Sequence, residues 1–477
     1  MAKGLPKQSE DFPGWYVAVV READLAEHGL ARGSQVIKPY GYTIWENIQR
    51  ALDDRFKATG HENFMFPVLI PESVIAKEKD HVEGFSHEFW TVTQVGGQEL
   101  EEKLILRPTS EAAIWNAYAN WIQSYRDLPL LYNQWCNVFR YELRTRLFLR
   151  TSEFLWQEGH TAHATAEEAW DEAVQMLHVY REVAEDVLAI PVLWGRKSAA
   201  ERFAGADETL PIEALMRDAK ALQCGTSHYL GQNFAKAYDV TFLNKEGEQE
   251  HAYGTSWGFS SRMVGGTVMS HGDDDGLRLP PAVAPYQVVV VPIYRSDDER
   301  ASVLEVVAKI RDELAGNGVR VRVDDRDQHR PGFKFAQWEL KGVPIRIEIG
   351  PKDVDAGQVV VVDRVTREKK ALPTSEALSS MVGALESVQK SLFEDALKFR
   401  EANTHEIESF DKFKEGVEAE GGFWVGAWCG AADCEARIAG ETKTSIRVLP
   451  LELEDPGAPC MHCGKPGVER ATWARAY

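Results

Sequence analysis

The sequence has few cysteines, no long apolar run and no excess of positive charge. Six cysteines in 477 residues are too few for a small disulfide-stapled secreted protein. No stretch approaches the roughly 18 uninterrupted apolar residues of a membrane helix. The start, MAKGLPKQSEDF, lacks the apolar core of a secretion signal. We therefore expect a cytoplasmic protein. Its formal net charge of −20 argues against non-specific coating of nucleic acid but leaves room for a local basic region.

The phosphate-binding loops of the common nucleotide-binding folds are also absent. Neither G-x-x-x-x-G-K-[ST] nor G-x-G-x-x-G after a strand occurs. Side chains would then have to hold a bound nucleotide, and forked guanidinium groups suit phosphates. The segment FRYELRTRLFLRTSEF, residues 139–154, gathers four arginines in this acidic chain. Judged by residue type alone, these four arginines could instead form the solvated turn of a hairpin that binds no nucleotide.

The chain is too long for one hydrophobic core, and its pattern predicts three domains. The first covers 1–283, because the proline-rich segment LPPAVAP at 279–285 can continue neither a helix nor a strand ladder. Strands alternating with helices then predict a compact α/β domain over 284–385. A charged helical stretch leads into a small third domain over 386–477.

Several local patterns predict individual elements. Apolar residues one turn apart predict an amphipathic helix over 41–59, with Gly60 as its stop. The next segment, NFMFPVLIP, predicts a buried strand interrupted by Pro67. Ser296 and Glu299 form a capping box for a helix that runs to about residue 315.

Four of the six cysteines cluster near the end of the sequence, at Cys429, Cys434, Cys460 and Cys463. Four thiolates can close a tetrahedral shell around Zn²⁺, which leaves no open position for catalysis. A structural zinc site is therefore predicted, with redox chemistry as the alternative. His462 lies between two of the cysteines and could replace one ligand.

Three segments resemble the motifs of class II aminoacyl-tRNA synthetases. Arg140-x-Glu142, a loop and then Arg150-x-x-x-Phe154 resemble motif 2. TGHENFMFPVLIP resembles motif 1, and SWGFSSR, which ends at Arg262, resembles motif 3. Within that class, four further segments are similar to the prolyl-tRNA synthetase family: RPTSE at 107–111, WQEGHTAH at 156–163, FAGA at 203–206 and GTSHYLGQNF at 225–234.

The resemblance implies an α/β protein with an α+β catalytic domain, built on an antiparallel sheet flanked by helices. An α/β anticodon-binding domain and a small zinc-binding α/β domain would follow. The implied reaction joins L-proline and ATP into prolyl-adenylate and transfers the prolyl group to tRNA(Pro). Mg²⁺ would accompany ATP, and motif 1 implies a homodimer.

The residue chemistry also fits a proline site. Such a site needs an anion and a hydroxyl for the ammonium, a cation for the carboxylate and apolar walls for the ring. Thr109 and Glu111 supply the first, Arg140 the second, and Trp156 and Phe203 the third. By resemblance the proline site also includes Glu158, His160, Ser256 and Gly258, with Glu158 and His160 orienting the amine or bracing Glu111.

The resemblance also assigns the ATP site. Arg140 would bridge the proline carboxylate and the α-phosphate, and it would be catalytic together with Arg262. Phe154 and Arg262 would sandwich adenine, Arg150 would reach the terminal phosphates, and Glu142 would contact the adenine amino group or Mg²⁺. The remaining ATP-binding residues would be Gln223, Thr226 and His228. The substrate carboxylate attacks phosphorus directly, so catalysis rests on positioning and charge stabilisation.

Two regions are predicted to contact tRNA. Arg144 and Arg146 lie on the motif 2 loop, where the acceptor end would approach. Residues 284–385 resemble the anticodon-binding domain shared by the prolyl, threonyl, histidyl and glycyl enzymes. Its candidate RNA-contacting residues are Phe333, Glu339, Arg346 and Lys352, each with an ordinary surface contact as the alternative.

Two other functions remain open at this point. One is another class II ligase, with the threonyl enzyme nearest, although Trp156 and Phe203 offer apolar walls where threonine needs a polar site. The other is a non-catalytic synthetase-like RNA-binding regulator, which would be expected to lose its phosphate-binding arginines. About 100 residues separate Phe154 from Ser256. The bacterial-type prolyl enzymes carry a large editing insertion at this place, and the spacing leaves no room for one, so the chain resembles the archaeal/eukaryotic-like form. The resemblance therefore implies no hydrolysis of alanyl-tRNA.

Overall fold

Helices and strands alternate along the described chain. The computed structural model describes residues 4–77, 89–453 and 455–477. The helices are α1 (Phe12–Glu22), α2 (Pro39–Ala58), α3 (Glu72–Ile75), α4 (Glu111–Trp121), α5 (Ala166–Glu182), α6 (Asn233–Ala237), α7 (Arg262–His271), α8 (Asp297–Gly316), α9 (Pro331–Leu340), α10 (Pro351–Ala356), α11 (Thr374–Ser379), α12 (Met381–Ala402), α13 (Phe410–Ala419) and α14 (Ala432–Thr442). The strands are β1 (Ala26–His28), β2 (Gln35–Ile37), β3 (Glu62–Asn63), β4 (Leu69–Pro71), β5 (Trp90–Val95), β6 (Gln98–Leu106), β7 (Leu130–Phe139), β8 (Glu153–His163), β9 (Val192–Trp194), β10 (Glu208–Leu215), β11 (Ala221–Gly231), β12 (Thr241–Leu243), β13 (Gln249–His251), β14 (Tyr253–Ser260), β15 (Val288–Pro292), β16 (Val321–Val323), β17 (Ile345–Ile349), β18 (Gln358–Asp363), β19 (Lys369–Pro373), β20 (Thr404–Glu406), β21 (Phe423–Trp428), β22 (Ser445–Val448) and β23 (Glu469–Ala474).

A seven-stranded sheet in the order β3-β7-β8-β14-β11-β10-β9 organises the first region. Only the short β3 runs parallel to its neighbour, so the predicted antiparallel sheet is confirmed. Helix α2 carries the predicted apolar face, and its Phe56 ring lies 4.9 Å from the Trp257 ring of β14. Gly60 follows it in the left-handed conformation, with φ of 89°, which accounts for the stop. The predicted helix over 41–59 is confirmed with small shifts.

The prediction of one buried strand over NFMFPVLIP is wrong. The segment contains the end of β3 and the whole of β4, which belong to two different sheets, and residues 64–68 between them are irregular. Pro67 has no N–H to donate to a ladder, and the chain changes sheets around it. Met65 and Leu69 are exposed, at 79% and 40% of their surfaces.

The second region has a five-stranded sheet in the order β16-β15-β17-β18-β19. β15 pairs in parallel with both β16 and β17, and helices α8 and α9 connect these three strands. The Ser296 hydroxyl accepts a hydrogen bond from Glu299 N at 3.3 Å, and Glu299 Oε2 accepts one from Arg295 N at 2.7 Å. The predicted α/β alternation and the Ser296 N-cap of α8 are confirmed, but the reciprocal bond of a capping box is not formed, because the Glu299 carboxylate binds Arg295 N and not Ser296 N.

The junctions between regions are packed. The segment 279–285 contributes Val283 and Ala284 to the first core, so it is a buried turn and not an exposed linker. The boundary predicted at 385/386 falls inside α12, whose first half belongs to the second core. Arg364 donates to both oxygens of Asp273 at 2.7 and 2.9 Å, which ties the second region to the first.

The third region has a four-stranded sheet, β20-β21-β23-β22, covered by α13 and α14. It is joined to the first region through buried charges. The Glu213 carboxylate of β10 accepts from Lys197 Nζ at 2.8 Å and from Arg447 Nη2 at 2.7 Å. Among the further hydrogen bonds across this boundary is one from Ser198 Oγ to Glu435 Oε1 at 2.6 Å.

Candidate active site

Cross-strand pairing in the seven-stranded sheet brings the scattered sequence segments together. Alternate residues of a strand share a face, so Trp156, Glu158 and His160 of β8 lie on the same side. In one row across the sheet, Glu158 pairs with Gly258 of β14 and Gly258 pairs with Thr226 of β11. In the adjacent row the order is His160, Ser256, His228 and Thr209. The front of the sheet is therefore one continuous polar surface.

Glu158 is the buried anion at the centre of this surface. Its Oε2 accepts from Ser110 N at 2.9 Å and from His160 Nε2 at 3.1 Å. Its Oε1 accepts from Gln134 Nε2 at 2.7 Å and from the Ser110 hydroxyl. Burial raises its pKa, but these hydrogen bonds outweigh burial and lower the pKa to about 2. Glu158 is thus a charged brace with most of its acceptor positions already occupied.

Glu111 is the second carboxylate, and it lines the adjoining cavity. It begins α4, where the positive end of the helix dipole favours an anion. The Thr109 hydroxyl donates to its Oε2. One ligand atom from each of Glu111, Glu158 and His160 lies within 4.8 Å of the others. This buried anionic group can receive a compact cation such as an ammonium.

The side of the cavity formed by β10 and β11 has a defined hydrogen-bond chain. The Phe203 ring stacks on the His228 ring, with centroids 4.5 Å apart. Thr209 Oγ1 accepts from Phe203 N at 3.0 Å and forms a second hydrogen bond with His228 Nδ1, also at 3.0 Å. Burial lowers the pKa of His228 to about 4, which keeps the ring neutral near pH 7.

Three arginines converge on the open end. The Arg140 guanidinium lies 5.6 Å from the Phe154 ring and 5.4 Å from the Trp156 ring, and its Nε donates to a backbone carbonyl at 3.0 Å. Arg262 is held by Leu149 O at 3.1 Å. Burial and then the positive charges of Arg150 and Arg140 lower the pKa of Arg262 to about 10. Such mutual repulsion favours binding of an anion.

Two cavities adjoin at these arginines. The first, of about 220 Å³, is lined by the carboxylate group, the aromatic walls and residues of β11 and β14. The second, of about 200 Å³, is lined by the motif 2 segment, including Glu142 and Arg150. Arg140, Phe154 and Arg262 line both cavities. The arrangement suits two ligands that meet at Arg140.

The four clustered cysteines also come together. Ligand atoms of Cys429, Cys434, Cys460 and Cys463 all lie within 4.8 Å of one another. Cys434 Sγ is 3.7 Å from Cys460 Sγ, and Cys463 Sγ is 3.6 Å from Cys429 Sγ. A tetrahedral zinc with bonds of about 2.3 Å requires sulfur–sulfur edges of about 3.8 Å. The cluster therefore fits one zinc ion.

Comparisons with known proteins agree with this geometry. Family models match residues 89–271 as the tRNA synthetase class II core domain (G, H, P, S and T), 287–382 as an anticodon binding domain and 410–477 as the prolyl-tRNA synthetase C-terminal domain. The proline–tRNA ligases of Amoebophilus asiaticus (strain 5a2) and Chlorobium phaeobacteroides (strain BS1) are 50% and 51% identical, with both chains covered completely. The chain belongs to the prolyl-tRNA synthetase family.

A solved structure supports the same assignment of fold. Prolyl-tRNA synthetase from Cryptosporidium parvum, complexed with halofuginone and AMPPNP, superposes with a TM-score of 0.94. It is 36% identical, and 99% of each chain is covered. The predicted class II architecture is thereby confirmed. None of the helices in the described part of the chain combines the length and apolar character needed to cross a membrane.

Most predicted site residues of this prolyl-tRNA synthetase family member line the two cavities. Those lining the first are Thr109, Glu111, Arg140, Phe154, Trp156, Glu158, Phe203, Gln223, Thr226, His228, Ser256, Gly258 and Arg262. Glu142 and Arg150 line the second and pair with each other at 3.4 Å. His160 lines neither cavity and lies fully buried behind Glu158. Arg140 and Glu142 lie just beyond the end of β7 at Phe139.

The structure does not bring the predicted tRNA-contacting residues together into one site. Arg144 is exposed, whereas Arg146 lies under the ring of Tyr477, 5.6 Å away. Glu339 and Arg346 line a cavity of about 230 Å³ on the second region. Phe333 and Lys352 do not line it. Phe333 is exposed and stacks on His329, with centroids 4.5 Å apart, and Lys352 is exposed on α10.

Sequence reasoning missed Thr209, Arg202 and Glu201, which also line the first cavity. Thr209 stands in an unremarkable stretch, and its place is set by its pairing with His228 across β10 and β11. The pairing of β10 with β11 would have been the only signal for it. Ser256, unlike Thr209, was predicted from the sequence as a proline-binding residue. Its buried Oγ has no hydrogen-bond partner among the described residues.

Proposed function

We propose that this protein is a proline–tRNA ligase, which activates L-proline with ATP and transfers the prolyl group to tRNA(Pro). The observation that carries the proposal is the place of Arg140, which lines both the carboxylate-rich cavity and the arginine-rich cavity. A proline carboxylate and an ATP α-phosphate would meet there. The proposed domains are catalytic over 1–283, anticodon-binding over 284–385 and zinc-binding over 386–477.

In the proline site, Glu111 and Thr109 would receive the secondary ammonium. Glu158, which is hydrogen-bonded to His160, would add its negative charge to the potential around Glu111. The Ser256 hydroxyl, which has no partner among the described residues, would add a further polar contact. Trp156 and Phe203 would enclose the proline ring. These apolar walls offer no hydrogen-bond partner for a buried hydroxyl such as that of threonine. The Gly258 position supports this packing, since a Cβ there would come within 3.2 Å of the Trp156 ring.

In the ATP site, Phe154 and Arg262 would stack on adenine, and Arg150 would bind the terminal phosphates. Gln223, Thr226 and His228 would complete the nucleotide contacts, and Glu142 would bind the adenine amino group or assist Mg²⁺. The related Cryptosporidium parvum structure contains AMPPNP, which supports ATP as the substrate. No side chain needs to act as a nucleophile, because Arg140 and Arg262 would stabilise charge developing on the phosphate oxygens.

The remaining partners are proposed from the other regions. Arg144 and Arg146 would face the acceptor end of tRNA, and Glu339, Arg346, Phe333 and Lys352 would contact the anticodon loop. The cysteine cluster would hold one structural Zn²⁺, which closes the fold of the third region without an open coordination position. We place the enzyme in the cytoplasm, where reduced cysteines suit such a site.

A homodimer is proposed from the surface beside motif 1. Met65, Leu69 and Trp121 are large apolar side chains with 40% or more of their surfaces exposed. The Phe66 ring, next to Met65 in the sequence, lies 6.0 Å from the Trp121 ring, so Trp121 lies beside the motif 1 segment. Exposed apolar patches of this kind mark interfaces between subunits.

We also propose that the enzyme lacks an editing activity. Residues 164–252, between β8 and β14, are all described. They include α5, α6, the three strands β9, β10 and β11 of the catalytic sheet, and the separate two-stranded sheet of β12 and β13. Rapid deacylation of alanyl-tRNA by the purified protein would contradict this.

ATP–pyrophosphate exchange with each of the twenty amino acids tests the main proposal. Proline should support exchange far above the other nineteen. Arg140→Ala should lower that exchange by hundreds-fold, since loss of one such donor costs about 2.7–4 kcal/mol. Exchange driven by threonine, no exchange with any amino acid, or near-normal exchange by Arg140→Ala would each contradict it.

A further inference from the structure

The β1–β2 hairpin lies against the motif 2 loop. Its tip, residues 29–34, is closed by a hydrogen bond from Gly29 N to Ser34 O at 2.9 Å. Gly33 O accepts from Ser152 N at 2.8 Å, and Gln35 Oε1 accepts from Phe148 N at 2.9 Å. The hairpin is therefore fixed to the segment that carries the predicted phosphate-binding arginines.

Gly33 shows how close this approach is. Its φ is +83°, a conformation that favours glycine. A Cβ on it would lie 2.3 Å from Ser152 Oγ and 3.0 Å from Thr145 Cγ2. Arg32 directly precedes Gly33 and Arg144 directly precedes Thr145, so the two arginines flank a point of tight contact.

These two arginines differ from the other cations of the site. Arg150 pairs with Glu142, and Arg146 lies under Tyr477. Arg32 and Arg144 are both exposed, and within the described ranges neither forms an ion pair. The acidic residue of the hairpin, Glu27, is already paired with Lys38 at 3.1 Å. The tip thus presents positive charge in a chain whose net charge is −20.

Apolar side chains accompany this charge. Leu30, at the hairpin tip, is completely exposed, and Leu143 of the motif 2 loop has 67% of its surface exposed. A solvent-exposed surface that combines unpaired arginines with apolar groups suits single-stranded RNA, which offers phosphates and unstacked bases.

We infer that the β1–β2 hairpin and the motif 2 loop form one docking surface for the single-stranded acceptor end of tRNA, with Arg32 contacting its phosphates and Leu30 a base. This inference rests on the proposed function. Arg32, which precedes Gly33, would add a contact from outside the three sequence motifs. Arg32 would therefore bind tRNA without contacting proline or ATP.

The test compares Arg32→Ala with Arg32→Lys and with a matched control, Arg437→Ala, which removes another exposed arginine on α14. Proline-dependent ATP–pyrophosphate exchange needs no tRNA and should be unchanged in all three variants. In aminoacylation, Arg32→Ala should raise KM for tRNA(Pro) about fivefold and lower the salt-dependence slope of binding by about 1. Arg32→Lys should retain the slope, and Arg437→Ala should match the parent.

A second substrate locates the contact. For tRNA(Pro) that lacks its single-stranded 3′ end, the parent and Arg32→Ala should bind with equal affinity. An Arg32→Ala variant with the parent's KM and salt slope would overturn the inference, as would a binding defect that persists on the shortened tRNA. Failure of the parent itself to support proline-dependent exchange would instead refute the proposed function.

Discussion

The guanidinium carbon of Arg146 lies 5.6 Å from the centre of the Tyr477 ring, so the last residue of the sequence packs against the motif 2 loop. The Tyr477 hydroxyl donates to Asp218 Oδ2 at 2.7 Å, and its backbone N donates to Ala221 O at 3.1 Å. Arg146 N in turn donates to Arg150 O at 2.7 Å. The third region is thereby connected to the turn that carries Arg150.

Replacing Tyr477 with alanine should loosen that turn and lower aminoacylation about fivefold. A cation–π contact contributes on the order of 1 kcal/mol, and Arg146 would lose it. Tyr477→Phe keeps the ring and loses only the hydrogen bond to Asp218, so it should retain most of the activity. Steady-state kinetics with ATP and tRNA(Pro) measure the effect. Equal losses in the two variants would show that the ring contact does not matter.

The sequence was informative where a residue's chemistry depends on its neighbours along the chain. Trp156 and Glu158 share a face because they are two residues apart on a strand. The spacing of the two cysteine pairs predicts a metal site. It was uninformative where tertiary contact decides. The irregular course around Pro67 depends on a change of sheet, and the contact of Tyr477 depends on docking of the third region. Neither leaves a periodic pattern.

The Thr209 hydroxyl should matter through His228. In Thr209→Val, Phe203 N–H and His228 Nδ1 both lose a buried partner, at a cost of about 1–3 kcal/mol. We expect KM for proline to rise tenfold or more, because Phe203 forms a wall of the proline site, and KM for ATP to rise as well, because His228 is proposed to contact the nucleotide. Thr209→Ser retains the hydroxyl and should behave like the parent. Indistinguishable serine and valine variants in pyrophosphate exchange would contradict this interpretation.

Buried neutral histidines should make the enzyme less stable in mild acid. Burial lowers the pKa of His163 and His228 to about 4 and that of His271 to about 3. Between about pH 4 and 6.5 the unfolded chain binds more protons at these sites, so stability rises with pH by about 1.4 kcal/mol per unit for each group.

Two other groups contribute little to that slope. The pKa of Glu158 is lowered to about 2, so its stabilisation is complete above about pH 4.5 and is lost only towards pH 2. Burial lowers the pKa of His160, but its hydrogen bond with Glu158 and the negative charges of Glu111 and Glu158 together outweigh burial and raise the pKa. The stability that His160 contributes is therefore present below its ordinary pKa and is lost only as the pH rises above that value. Urea unfolding between about pH 5 and 6.5 should show a smaller slope for His228→Gln than for the parent. Equal slopes would refute a neutral His228.

Removal of the metal should act on the proline site as well as on stability. Cys434 is followed by Glu435, whose Oε1 accepts from Ser198 Oγ at 2.6 Å, and the chain from Ser198 leads to the Phe203 wall of the cavity. Cys434→Ser should therefore abolish bound zinc, lower the melting temperature and raise KM for proline. Cys224→Ala, which alters a buried cysteine outside the cluster, should keep its zinc. Elemental analysis that finds no metal in the parent, together with resistance to chelators, would exclude a zinc site. Zinc loss with an unchanged KM for proline would instead exclude the connection through Ser198.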